Sequence, residues 1–223
     1  MTEKRPALSH KRIVVYLLGL LVYAFGASLM ARASIGISPL TSVAYIFTRF
    51  TPLSLGVSQF LFNLLLIGIQ AVWMGKEFKR IEYLQILISI VFSTFIDLAM
   101  AATIMIDSAQ MSFPARSTVF AVGLAAMSVG IAVVKITDLV MLPGDGVPKV
   151  MAYKKGWAFG KAKVISDSIC AASTCVISLL ALGHIEGIGV GTIVAALGLG
   201  NLARLLIHAA QAPLVRFVDG AKQ

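Results

Sequence analysis

Two carboxylates stand where a carboxylate is expensive. Asp97 lies in STFIDLA (93–99) and Asp167 in KVISDSI (163–169), both within long apolar runs. An ionisable side chain surrounded by hydrocarbon faces a cavity, a water path or a polar partner. Both are therefore candidates for proton or ion coupling. The competing reading for Asp97 is a bond between packed helices, with Arg204 as a candidate ion-pair partner. Lys163, one helical turn before Asp167, offers that carboxylate a partner. Asn63 and Asn201 complete the set of polar side chains in apolar surroundings.

Two further stretches cannot continue a helix: ISPLTSV (37–43) and LPGDGVP (142–148). Ser38-Pro39 reads as an N-cap followed by proline at the first helical position. Asp145 is a candidate cap in the second stretch. About ten residues of helical character follow each break, 41–50 and 145–155, too few to span a bilayer. Helix N-termini carry unpaired N–H groups and partial positive charge, which suits an anionic or zwitterionic solute. The candidate substrate-binding residues are Ser38, Pro39, Thr41, Ser42, Gly144, Asp145 and Gly146. The competing reading makes both segments amphipathic connectors at the membrane surface, for which Lys149, Lys154, Lys155 and Trp157 are suited.

Other chemistries find little footing. Gly-x-Ser-x-Gly and His-Glu-x-x-His are absent, and His10, His184 and His208 fall at or beyond the ends of apolar runs. His184 and Glu186 share a short loop without two further ligands for a metal. Cys170 and Cys175 are five residues apart and fall on different helix faces, so neither a disulfide nor a metal site is expected. Gly187, Gly189 and Gly191 lack the strand and lysine of a phosphate loop. They read as close-packing positions, with Gly198 and Gly200. Asp97 and Asp167 meeting as a hydrolase pair is a distant option. The expectation is no enzyme, no cofactor and no metal. Arg32 and Lys135, near span ends, read as side chains reaching toward headgroups.

The elements that must position these residues are membrane spans. The chain is 58% hydrophobic and 13% charged, against about 45–50% and about 25% in a soluble domain. Six runs are long enough to cross: about 13–34, 55–75, 83–106, 116–138, 161–182 and 187–208. The first has features of a signal peptide, with Ala31-Arg32-Ala33 as the cleavage site. Its length and its recurrence later in the chain favour a retained helix. With the N-terminus cytoplasmic, sixteen of the nineteen Lys and Arg residues fall inside. They are Lys4, Arg5, Lys11, Arg12, Lys76, Lys79, Arg80, Lys135, Lys149, Lys154, Lys155, Lys161, Lys163, Arg204, Arg216 and Lys222. Arg32, Arg49 and Arg116 fall outside. This bias predicts both termini on the cytoplasmic side. It also accounts for the net charge of +9 without a nucleic-acid partner.

The chain matches itself at an offset of 104 positions without a gap. Gly19 meets Gly123, Gly26 meets Gly130, Pro39 meets Pro143, Gly56 meets Gly160, and Leu98-Ala99 meets Leu202-Ala203. Asn63 falls on Asp167 and Asp97 on Asn201. Repeat 1 covers about 13–106 and repeat 2 about 117–210 of a single membrane domain, 1–223. An odd number of spans per half makes the two halves inverted repeats.

Four stretches resemble the YczE/YitT-like group of bacterial membrane proteins: FGASLMARASIGISPLTSV (25–43), STFIDLA (93–99), LPGDGVPKVM (142–151) and GIGVGTIVAALGLGNLARLL (187–206). The first break departs from that group, with Ser-Pro-Leu-Thr in place of a Trp-Asp pair. The resemblance implies six helices and a bacterial inner membrane, and no substrate.

The expected fold is an all-α polytopic bundle of two inverted three-helix repeats, each with a re-entrant or broken helix. The expected function is secondary transport of a small anionic or zwitterionic solute, with proton coupling through Asp97 or Asp167. The alternative is a non-transporting accessory or regulatory membrane protein that binds a partner or lipid. The expected partners are the bilayer, the solute and a second copy in a homodimer. A cavity lined by Asp97, Asp167 and both breaks would favour transport, and a dry centre the alternative.

Overall fold

The computed structural model describes residues 9–219. Lys4, Arg5 and Lys222 of the charge count lie outside them. The described chain is a bundle of eight α-helices: α1 His10–Ala33, α2 Pro39–Phe50, α3 Leu55–Met74, α4 Leu84–Ala102, α5 Phe113–Thr137, α6 Pro143–Lys155, α7 Phe159–Leu182 and α8 Val190–Asp219. Six of them, all but α2 and α6, are long and apolar enough to cross a membrane. Their outer faces carry exposed side chains such as Val72, Leu180 and Leu205, the surface of a multi-pass membrane protein. The last helix runs on to Asp219, beyond the expected end at 208, and there Asp219 pairs with Arg12 at 2.5 Å.

The helix boundaries recur at the offset of 104. Pro39 and Pro143 open α2 and α6, and Leu55 and Phe159 open α3 and α7. Ser34 and Asp138, which end α1 and α5, are the two described non-glycine residues with positive φ, +54° and +46°. A left-handed residue is a common way to end a helix. Here each turns the chain into a short extended strap that leads to the next proline.

Contacts recur as well. A β-carbon on Gly26 would meet the Met127 backbone, and one on Gly130 would meet the Tyr23 backbone. Each of these pairs is the other carried forward by 104. The residue numbers rise on one helix as they fall on the other, so α1 and α5 lie antiparallel, and glycine lets their backbones close up. Arg12 Nη1 donates to the Thr137 carbonyl at 2.7 Å, and Arg116 Nε donates to the Ala33 carbonyl at 2.9 Å. Arg116 Nη2 also donates to the Ser34 carbonyl. Arg12 thus covers the C-terminal carbonyl end of α5 and Arg116 that of α1, where a cation is favoured.

The two short helices exchange partners. α2 packs on α7, and α6 packs on α3. Ser42 and Thr174 share a hydrogen bond at 2.9 Å. At the equivalent place, a β-carbon on Gly146 would strike the Gln70 amide, and one on Gly144 would strike Leu40. Leu40 and Gly144 are each other's mates at the offset of 104. The N-termini of α2 and α6 therefore meet. Of the two glycines of LPGDGVP, Gly144 lets α6 approach α2 and Gly146 lets it approach α3.

One seam breaks the equivalence. α3 packs along α4, whereas α7 and α8 scarcely touch. Asp97 of α4 accepts from Gly56 N at 2.7 Å and from Ser54 Oγ at 2.7 Å. It latches onto the start of α3. Its mate Asn201 turns instead to its own helix, with Nδ2 donating to the Leu197 carbonyl at 2.8 Å. Gly160, the mate of Gly56, has open space where its β-carbon would be.

Candidate functional site

The gap between α7 and α8 continues into a cavity of about 470 Å³, within the size range of small-molecule sites. α3, α5 and α6 also contribute to its walls, and the first turn of α2 closes its inner end.

Each break presents its helix start to this space. Ser38 caps α2: its hydroxyl accepts from Thr41 N at 3.4 Å and donates to Thr41 Oγ1 at 2.9 Å. Ser38, Pro39, Thr41, Gly144 and Asp145 all line the cavity. Two of the expected binding residues stand elsewhere. Ser42 is fully buried against Thr174, and Gly146 packs on Gln70. Asp145 is not the cap of α6. The N-cap is Leu142, which offers no side-chain bond, and Asp145 sits in the first turn.

Asp145 instead joins an ionic cluster. Its Oδ2 lies 3.3 Å from Lys135 Nζ and its Oδ1 lies 3.7 Å from Lys163 Nζ. Lys163 also pairs with Asp167 at 2.8 Å. Lys135 turns to Asp145 and stands over the Phe159 ring, because a carboxylate and an aromatic face are within its reach. Arg32 donates to the Met100 carbonyl at 2.9 Å. Three lysines (135, 149, 163) and three aspartates (138, 145, 167) line the cavity.

Asp97, Asn201 and Arg204 lie outside the cavity lining. Asp97 is a helix cap for α3, and the expected Asp97–Arg204 pair does not form: Arg204 is exposed on α8, which does not pack on α4. Asn63 is in the wall, beside a residue that sequence reasoning passed over, Gln59. Gln59 Nε2 donates to Asn63 Oδ1 at 3.0 Å. Their four-residue spacing within an apolar span was the available signal, since it places both on one helix face.

Of the glycines near α8, Gly189 and Gly191 do pack closely, against the Ile35 carbonyl, while Gly200 faces open space. Among the described residues, no three His, Cys, Asp or Glu side chains come together as a metal-holding set. Cys170 and Cys175 are free thiols.

The chain belongs to a family of unknown function, DUF6198, whose pattern spans residues 10–208. No curated protein and no solved structure matches it. The likeness to YczE/YitT proteins rests on the four quoted stretches alone, and these comparisons lend it no support.

Proposed function

We propose that this DUF6198 chain is a secondary transporter of a small polar solute, built as two inverted repeats with re-entrant half-helices α2 and α6. The observation that carries this reading is the position of the cavity. It lies where the two half-helix starts meet, beside a parted α7–α8 seam whose mate, α3–α4, is shut. A pair of equivalent seams in opposite states is what alternating access needs: rocking one repeat against the other exchanges them around a fixed central site. The antiparallel, reciprocal packing of α1 and α5 supports a two-fold axis in the membrane plane. Backbone that leaves helical form at membrane depth is tolerated where it lines such a cavity.

In this reading the chain sits in a bacterial inner membrane with both termini cytoplasmic, as its basic residues require. The parted seam then faces inward, and Lys163 with Asp167 is the candidate coupling pair. Asp97 holds the shut seam and takes no part in coupling.

The test needs no known substrate. Thr41→Cys, in a background lacking Cys170 and Cys175, places a thiol at the meeting point of α2 and α6. A membrane-impermeant maleimide should label it from the cytoplasmic face in inverted vesicles and from the opposite face in intact cells. Labelling from one face only, or from neither, rejects alternating access and favours the accessory-protein reading.

A further inference from the structure

The Gln59–Asn63 pair adds a specificity the transport reading does not contain. The two side chains are 1% and 2% exposed, and both belong to the cavity wall. They are joined through Gln59 Nε2 and Asn63 Oδ1, which leaves Gln59 Oε1 and Asn63 Nδ2 without a hydrogen-bond partner. A buried amide atom left unpaired is costly, and native proteins keep few of them. Here the unpaired atoms are one acceptor and one donor. Exchanging O and N in both amides leaves the same complement. What this wall lacks is a molecule that offers a donor and a carbonyl together.

The charges around the cavity argue against an ionic solute. Lys135, Lys149 and Lys163 are balanced by Asp138, Asp145 and Asp167, and Lys163 is already held by two carboxylates. An anion reaching Lys135 or Lys163 would have to displace a carboxylate that already holds it, and a cation reaching Asp145 or Asp167 would have to displace a lysine. Resting on the transport reading above, we infer that the cavity selects a net-neutral solute bearing an amide-type N–H and C=O, and that Gln59 and Asn63 read those two groups. This class includes ureides, lactams, nucleobases and amino-acid amides. It departs from the anionic-or-zwitterionic expectation by asking for no net charge and for an amide-type pair of groups.

The test is the melting temperature of the purified full-length chain in detergent, titrated with uracil, allantoin, glutamine and, as anions, succinate and sulfoacetate. At least one amide-bearing probe should raise Tm in a saturating manner, and the anions should not. The double variant Gln59→Leu/Asn63→Leu removes both unpaired atoms together. It should fold as stably as the native chain while losing the response at least tenfold. A second variant, Gly200→Phe, grows into open space on the opposite wall and should block the response without touching α3. No response to any amide probe, a response to the anions alone, or equal responses in native and Leu/Leu chains would overturn the inference. The maleimide experiment on Thr41→Cys reads accessibility and not solute choice, so the transport reading can survive this result or fail apart from it.

Discussion

The latch of the shut seam differs from its counterpart at two of its three positions, and that difference can be engineered away. Asp97 holds α4 to α3 by accepting from Gly56 N and Ser54 Oγ, both at 2.7 Å. At the offset of 104, Gly160 corresponds to Gly56, but Asn201 stands for Asp97 and Ala158 for Ser54. The double variant Ala158→Ser/Asn201→Asp gives α8 the same latch for α7. Hydrogen bonds to a charged group contribute about 1.5–3 kcal/mol each. If desolvating the new carboxylate offsets one of the two, about 1.5–3 kcal/mol remains to favour the shut seam. That corresponds to a population shift of roughly 10- to 100-fold. A reporter thiol at Ala196→Cys, which lines the cavity, in a chain lacking Cys170 and Cys175, reads it directly. Its rate of maleimide labelling should fall at least tenfold in the latched chain. An unchanged rate in a folded, monodisperse double variant would refute the argument that the parted seam is the mobile counterpart of the shut one.

The remaining predictions concern stability and the separation of latch from site. Asp97→Asn keeps one acceptor for Gly56 N but loses the charge, and should lower stability by about 1–2 kcal/mol in denaturant titration; the solute-dependent rise in Tm should persist, because Asp97 lies outside the cavity. Arg12→Ala removes the bond to the Thr137 carbonyl and leaves Asp219, 40% exposed, unpaired, and should cost about 1.5–3 kcal/mol. Arg116→Ala, at the more exposed equivalent, should cost about 1–2 kcal/mol by the same titration. Gly26→Ala and Gly130→Ala each drive a β-carbon into the facing backbone and should each cost about 1–3 kcal/mol, visible as matched falls in Tm.

Much of the architecture was legible in the chain. Long apolar runs forced the spans, and the prolines at 39 and 143 marked where α2 and α6 begin, since proline suits the first turn of a helix; that Gly144, Gly146 and Pro148 would themselves be helical was not legible. The self-match at 104 positions anticipated where the helices begin. The seams were not legible. Asp97 reads as a costly intramembrane acid when its true partner is the start of a helix forty-one residues earlier. No local pattern shows that a carboxylate will cap a different helix. Asn201 carries the same weak signal as Asp97, yet α8 stands away from α7, and only the tertiary arrangement shows it. The Lys135–Asp145 pair was not legible either, because Lys135's position near a span end was visible and the approach of Asp145 across the strap was not. Gln59 drew no notice in the sequence, since its unpaired oxygen becomes apparent only once the wall around it is assembled.

The crossed arginine caps bear on how the chain is made. When α1, α2 and α3 have left the ribosome, Arg116 has not been synthesised, and the carbonyls of Ala33 and Ser34 must be covered by water or lipid headgroups. Ser42 likewise waits for Thr174, and Thr137 keeps its carbonyl for an arginine that was inserted long before. The early half therefore enters the bilayer with these ends uncovered, and it gains these particular bonds only as the late half arrives. Insertion and folding are separated in time. A chain truncated after α4 should integrate into the membrane yet remain open to proteolysis until the missing half is supplied as a second polypeptide.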